Sequence, residues 1–269
     1  MSNYKTIKMK KIALIITVLC SVPFISQGQT PEQKGLAIAE KADEVDRGFE
    51  SSQVSLKMIL TNKNGQESER LLENKTLELH EDGDKSLIVF NSPRDVEGTA
   101  TLTFTHKTTS DDQWLYLPSI KRVKRISSDN KSGPFMGSEF AYEDLSSQEV
   151  EKYTYKFIKE DNLNGVSALV VERYPVDPKS GYTRQVVWYN KDNYRIEKID
   201  FYDRKNALLK TLDYNGYEQY LGKHWRASQM VMENHQTGKK TRLIFENYAF
   251  KTGISDQDFT QNSLVRAGR

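Results

Sequence analysis

Val54-Ser55-Leu56-Lys57-Met58-Ile59-Leu60 runs directly into Asn62-Lys63-Asn64-Gly65. Val54, Leu56, Met58 and Leu60 stand at every second position, the period of a strand with one face buried, and the Asn/Gly run is turn chemistry. The pattern recurs downstream. Leu77 and Leu79 end a second strand, and Glu81-Asp82-Gly83-Asp84 reads as a hairpin turn before a third at 86–90. Ala100, Leu102 and Phe104 alternate with threonines, and strands at 113–117 and 122–126 flank Pro118. Further strands are predicted at 153–159, 168–174, 184–189, 195–202, 208–217, 227–233 and 241–250. Asn164-Gly165, Asp192-Asn193, Arg204-Lys205-Asn206, Asn215-Gly216 and Thr237-Gly238 are the turns between them. Strands at this even spacing, with no helix between them, predict a mainly β chain folded as a meandering antiparallel sheet.

One helix precedes the first strand. Leu36, Ile38, Ala39, Ala42 and Val45 recur at helical spacing, and Thr30-Pro31 supplies a cap with a proline in the first turn. Its narrow apolar stripe predicts one face packed on the sheet and an end near Gly48. Upstream, Lys5, Lys8, Lys10 and Lys11 precede an apolar run from Ile12 to Leu19, and Ser26-Gln27-Gly28 places small residues where a signal peptidase reads. Residues 1–28 are therefore read as a cleavable signal peptide, cut after Gly28, which sends the chain to the periplasm. The apolar run is shorter than the roughly 20 residues a spanning helix needs. Residues 29–269 are read as a single domain acting as a monomer.

The lone cysteine, Cys20, lies in that leader, so the mature chain has no disulfide, thiolate nucleophile or cysteine metal site. Without the leader, 35 basic residues stand against 37 acidic ones, a net charge of −2 that gives no field for nucleic acid. The 37% hydrophobic content permits a modest core, and fourteen Tyr and eleven Phe against seven Pro suit strands.

Residues 127–147 break the alternation. Ser132-Gly133-Pro134 leads to Phe135-Met136-Gly137-Ser138-Glu139-Phe140, a long loop whose apolar residues lie between glycines. Exposing Phe135, Met136 and Phe140 would forgo about 1.5–3 kcal/mol each, so they either plug a core or form a loop cover over a hollow.

Several segments together resemble the outer-membrane lipoprotein-sorting, LolA-like, family. They are 91–99 (NSPRDVEGT), Trp114-Leu115-Tyr116-Leu117-Pro118, the basic run 121–126, the loop 133–140, Tyr142-Glu143-Asp144-Leu145 and the closing Asp258-Phe259-Thr260. The resemblance covers most of the mature chain. It implies an incomplete, curved antiparallel barrel wrapped around one or more helices, with an apolar hollow for lipid or lipoprotein acyl chains. It also implies an exporter-associated subgroup, partnered by an inner-membrane exporter of the resistance-nodulation-division type. The chain is longer than the best-known carrier of that superfamily, which points to a different lipid cargo.

The expected function is a non-enzymatic periplasmic carrier that passes a lipid or lipidated molecule between an exporter and the outer membrane, touching membranes transiently. A lipid- or lipoprotein-sensing module is the second reading, and a lipid-ester hydrolase the third. Leu56, Met58, Leu102, Phe104, Trp114, Tyr116 and Trp188 are the candidates for the lining, since each buried methylene of a ligand contributes about 0.8 kcal/mol. Lys121, Arg122, Lys124 and Arg125 are candidates for headgroup or partner contact, though alternation splits them between two faces. Against catalysis stand the absence of G-x-S-x-G and the scatter of four histidines without a metal-binding spacing. No cofactor or metal is expected, and Glu139, Glu143 and Asp144 read as groups that fix the loop.

Overall fold

The structure, a computed structural model, describes residues 28–268. Residues 1–27 of the expected leader lie outside the described part. Helix α1, Pro31–Asp46, begins with a reciprocal cap: the Thr30 side chain accepts from Gln33 N–H, and the Gln33 side chain accepts from Thr30 N–H. Gly35, Ile38 and Ala39 form its buried stripe.

Thirteen strands follow: β1 Ser51–Thr61, β2 Glu67–Leu77, β3 Lys85–Ser92, β4 Ala100–Phe104, β5 Asp112–Leu117, β6 Arg122–Ile126 and β7 Tyr153–Leu163. They continue as β8 Val166–Pro175, β9 Tyr182–Asn190, β10 Ile196–Asp203, β11 Leu208–Tyr220, β12 His224–Asn234 and β13 Lys240–Phe250. All pair antiparallel in one sheet, in the order β6-β5-β4-β3-β2-β1-β13-β12-β11-β10-β9-β8-β7. The sheet is curved and unclosed, as in the LolA-like fold. Two meanders, β1 to β6 and β7 to β13, are joined where β1 pairs with β13. A short helix α2, Gln261–Ala267, follows and was not anticipated; it is too brief to display a helical stripe.

Strand alternation sorts the apolar residues onto two faces. The inner face, which holds α1 and the long loop, gathers Met58, Leu72, Phe90, Val171, Val187, Ile199 and Met232 into the main core. The outer face of β3, β4 and β5 carries Leu87, Ala100, Leu102 and Tyr116, which pack beneath Phe259 and Leu264 of the C-terminal segment. Asn215-Gly216, expected as a turn, lies inside β11. The register runs unbroken from Asn215↔Gln229 to Tyr217↔Ala227, so Gly216 lies directly opposite Ser228 in the ladder. Its φ of +64° and a would-be Cβ 2.1 Å from Ser228 Oγ make glycine necessary there.

Candidate functional site

The inner face is divided. One half is filled by the long loop. Phe135 is 1% exposed and sits in the main core, its ring 5.7 Å from that of Phe90, with Phe140 buried nearby and Met136 packed against the same core. The loop is tied down along its length. Gln113 donates to the Tyr142 carbonyl, Thr241 Oγ1 accepts from Glu139 N–H, and Arg70 donates to the Met136 carbonyl. Lys210, nearly fully buried, ion-pairs with Asp144 at 2.7 Å and also bonds the Glu139 carbonyl. Glu143 accepts from Ser180 and Gly181 N–H, and Glu139 accepts from Asn234. The three acids thus fix the loop. Phe135, Met136 and Phe140 pack into the main core, and none of them lines the hollow beside α1.

The other half is hollow. Between α1 and strands from both meanders lies an open-sided cavity of about 680 Å³, within the range that small-molecule sites occupy. Ala39, Ala42 and Val45 of α1 form one wall. Val54, Ala227, Met230 and Phe245 of the sheet face them, with Tyr214 and Tyr217 alongside. Gly222, Lys223 and Arg47 mark an exposed rim where the β11–β12 turn meets the end of α1.

Two polar regions interrupt this wall. Arg173 of β8 is 3% exposed; its Nε donates to Gln185 Oε1 and an Nη to Gln148 Oε1, both at 2.7 Å. Its guanidinium lies 4.5 Å from the Tyr153 ring, and no carboxylate among the described residues pairs with it. Beside it stand Tyr155, Tyr189 and Tyr214. Burial raises the hydroxyl pKa of Tyr189 above its ordinary value, and Arg173 opposes that shift.

The second region is acidic. Burial, then the charges of Asp84 and Asp43, push Glu149 from the ordinary 4.5 to about 7. Burial does the same to Asp84, taking it from 3.8 to about 6 despite the hydrogen bond from Leu79 N–H. Asp43 is also raised by burial, against the pull of Arg47. Asn74 Oδ1, on the same wall, is buried without a donor.

None of the seven residues expected to line the hollow lies on this wall. Leu102, Phe104, Trp114 and Tyr116 belong to the outer face, in the cluster under α2. Trp188 also faces outward, one position from inward-facing Val187, with its indole N–H on Asp161 and Lys198 over its ring. Leu56 and Met58 do face inward, but in the packed core. Alternation alone cannot say which parity of a strand faces the hollow. The residues that do line it had a weaker signal: Arg173 shares the inward parity of Leu169 and Val171 in its strand.

Lys121, Arg122, Lys124 and Arg125 are all exposed, on and beside the edge strand β6, with Arg125 paired to Asp112. No serine hydroxyl meets a histidine ring among the described residues. The nearest constellation, Thr211 with His235 at 2.8 Å, directs the hydroxyl to Asp200, which is not the order nucleophile–base–acid.

A family model described only as "Uncharacterized protein" matches residues 82–266. No curated protein matches the chain. An outer membrane lipoprotein-sorting protein domain from Vibrio parahaemolyticus is 54% identical, covering 87% of this chain and 100% of its own, with a TM-score of 0.86. A DUF1329 family protein from Desulfovibrio piger is 31% identical over 88% of this chain and 100% of its own, with a TM-score of 0.83. A LolA superfamily protein from Nitrosomonas europaea shares the fold at a TM-score of 0.69 and 22% identity, over 85% of this chain and 98% of its own. With this much identity to a relative covered end to end, the chain belongs to the outer-membrane lipoprotein-sorting family.

Proposed function

We propose that this protein is a periplasmic carrier. It binds a lipid or lipidated molecule between α1 and the inner face of the sheet and passes it between an inner-membrane exporter and the outer membrane. The observation that supports this most is the cavity itself, a space of about 680 Å³ left open between α1 and the sheet beside the packed main core. Apolar wall residues shelter alkyl chain from water, at about 0.8 kcal/mol per methylene. Residues 1–28 act as the export signal, and 29–269 form the single functional domain. The exposed Lys121, Arg122, Lys124 and Arg125 at one sheet edge supply contact to an acidic partner or lipid headgroup. The carrier performs no chemistry on its cargo. Release follows from a partner that favours the empty protein, since a ligand shifts an equilibrium only by differential affinity.

The test is native mass spectrometry, with organic extraction, of the full chain expressed with its export signal in a Gram-negative host. A stoichiometric lipid is expected. A protein that is consistently empty and fails to take up lipid from vesicles would overturn the proposal.

A further inference from the structure

We infer that the cavity takes its ligand by an acidic head, with the guanidinium of Arg173 and the hydroxyls of Tyr189 and Tyr214 as the seat of a carboxylate or phosphate monoester. This rests on the carrier reading and specifies the cargo as a single-chain amphiphile that enters head first.

The argument begins with charge. A guanidinium is always ionised, and a buried charge is strongly disfavoured unless it is paired and hydrogen-bonded. Arg173 is 3% exposed, yet its hydrogen-bond partners are neutral amides, Gln185 and Gln148. Other N–H groups of its five-donor fork meet no carboxylate or carbonyl acceptor among the described residues, and the residue borders the cavity. Tyr189 is equally buried, at 3%, and its hydroxyl donates to no protein acceptor among the described residues. The Tyr214 side chain, half-buried on the neighbouring part of the wall, likewise donates to no protein acceptor among the described residues. Donors thus converge from β8, β9 and β11 on one place, Arg173 hydrogen-bonded to the Tyr189 hydroxyl and to two amides, with no carboxylate supplied by the protein among the described residues. A planar two-oxygen acid meets a guanidinium through two parallel hydrogen bonds, the strongest geometry available to either group. The alkyl chain then runs along Ala39, Ala42, Met230 and Phe245.

The charged groups around this seat agree with the assignment. Tyr153 and Tyr155 approach Arg173 as neutral phenols, Tyr155 donating to the Val150 carbonyl. In the acidic region of the same cavity, Glu149 faces Lys152 and Lys107, and Asp43 pairs with Arg47; none of Asp43, Asp84 and Glu149 pairs with Arg173.

Binding of hexadecanoic acid, hexadecyl phosphate and hexadecanol to the purified, delipidated full chain tests the inference by displacement of a fluorescent fatty probe. At least tenfold tighter binding of one or both acids than of the alcohol is expected. Preference for the phosphate identifies a lipid phosphate as the natural head, and preference for the carboxylate a fatty acid. Arg173→Gln is expected to abolish the preference, bringing the acids down to the affinity of the alcohol. Because that variant loses an internal hydrogen-bond hub, Tyr189→Phe and Tyr214→Phe, which remove one hydroxyl each, provide an independent reading: each should weaken the acids several-fold more than the alcohol. Equal affinity for acids and alcohol in the native protein overturns the head-first inference but leaves the carrier reading standing. An undiminished preference in folded Arg173→Gln overturns it as well. Failure of all three to bind defeats both.

Discussion

Glu149 shows how far a single residue's behaviour is set by distant parts of the chain. Nothing in Ser147-Gln148-Glu149 marks it, yet the fold places it, 7% exposed, beside Asp84 from the β2–β3 turn of the first meander. Its pKa is raised from 4.5 to about 7, burial being the first cause. Between those two values the folded protein binds more protons than the unfolded chain, so this group's contribution to stability falls as pH rises. Asp84 adds the same slope between 3.8 and about 6. Glu149→Gln removes the ionisation and keeps the shape. It should raise stability by about 1–2 kcal/mol at pH 8, roughly 2–8 °C in Tm for a chain of this size, and change little at pH 4.5. Thermal unfolding followed by circular dichroism at the two pH values checks this; an equal shift at both would show that the carboxyl is solvated. Sequence reading missed this residue and Arg173 for one reason. Their roles arise from burial against residues far away in the chain, and residue type carries no trace of that.

At the level of elements the sequence was far more legible. All thirteen strands follow from period-two alternation and turn residues, and α1 from Thr30-Pro31 and its apolar stripe. What alternation leaves open is sidedness, which is why Leu102 and Trp114 were assigned to the wrong face: a strand covered on both sides reads the same from either parity. The helix α1 carries one feature that only packing explains. Gly35 lies against β7 so closely that an added Cβ would sit 2.7–2.9 Å from the backbone of Lys156 and Phe157. Backbone atoms cannot rotate out of the way. Gly35→Ala would gain about 1 kcal/mol of helix propensity but must push α1 off the sheet, an overpacking cost of about 1–3 kcal/mol. A net loss of stability is expected, read as a lower urea midpoint with an unchanged m-value. The displaced helix also carries Ala39 and Ala42, so ligand affinity should change in parallel. A more stable Gly35→Ala protein would place α1 farther from β7 than these contacts require.

The molecule as a whole is an open sheet with two ends. Hairpin pairings were legible because each joins neighbours in the chain. The join of β1 to β13 was not, since it links residues almost two hundred positions apart, as in Ser52↔Phe250, and the hollow exists only because of that join. An unclosed sheet must also guard its edges, as unpaired N–H and C=O groups invite a second chain. The terminal strand β6 pairs only with β5, and it reads Arg122-Val123-Lys124-Arg125-Ile126, with all three basic residues exposed. Two copies meeting edge to edge would bring these charges together across a ladder about 5 Å wide, where like charges repel. The basic run therefore has a structural role besides any contact with a partner. Replacing Arg122 and Lys124 together by valine removes the repulsion and raises strand propensity on an exposed edge. Concentration-dependent association beyond that of the native protein is expected in sedimentation velocity, reversed by restoring either charge. If the double variant sediments like the native protein, edge protection is excluded, and recognition of an acidic surface is left as the reason for the cluster.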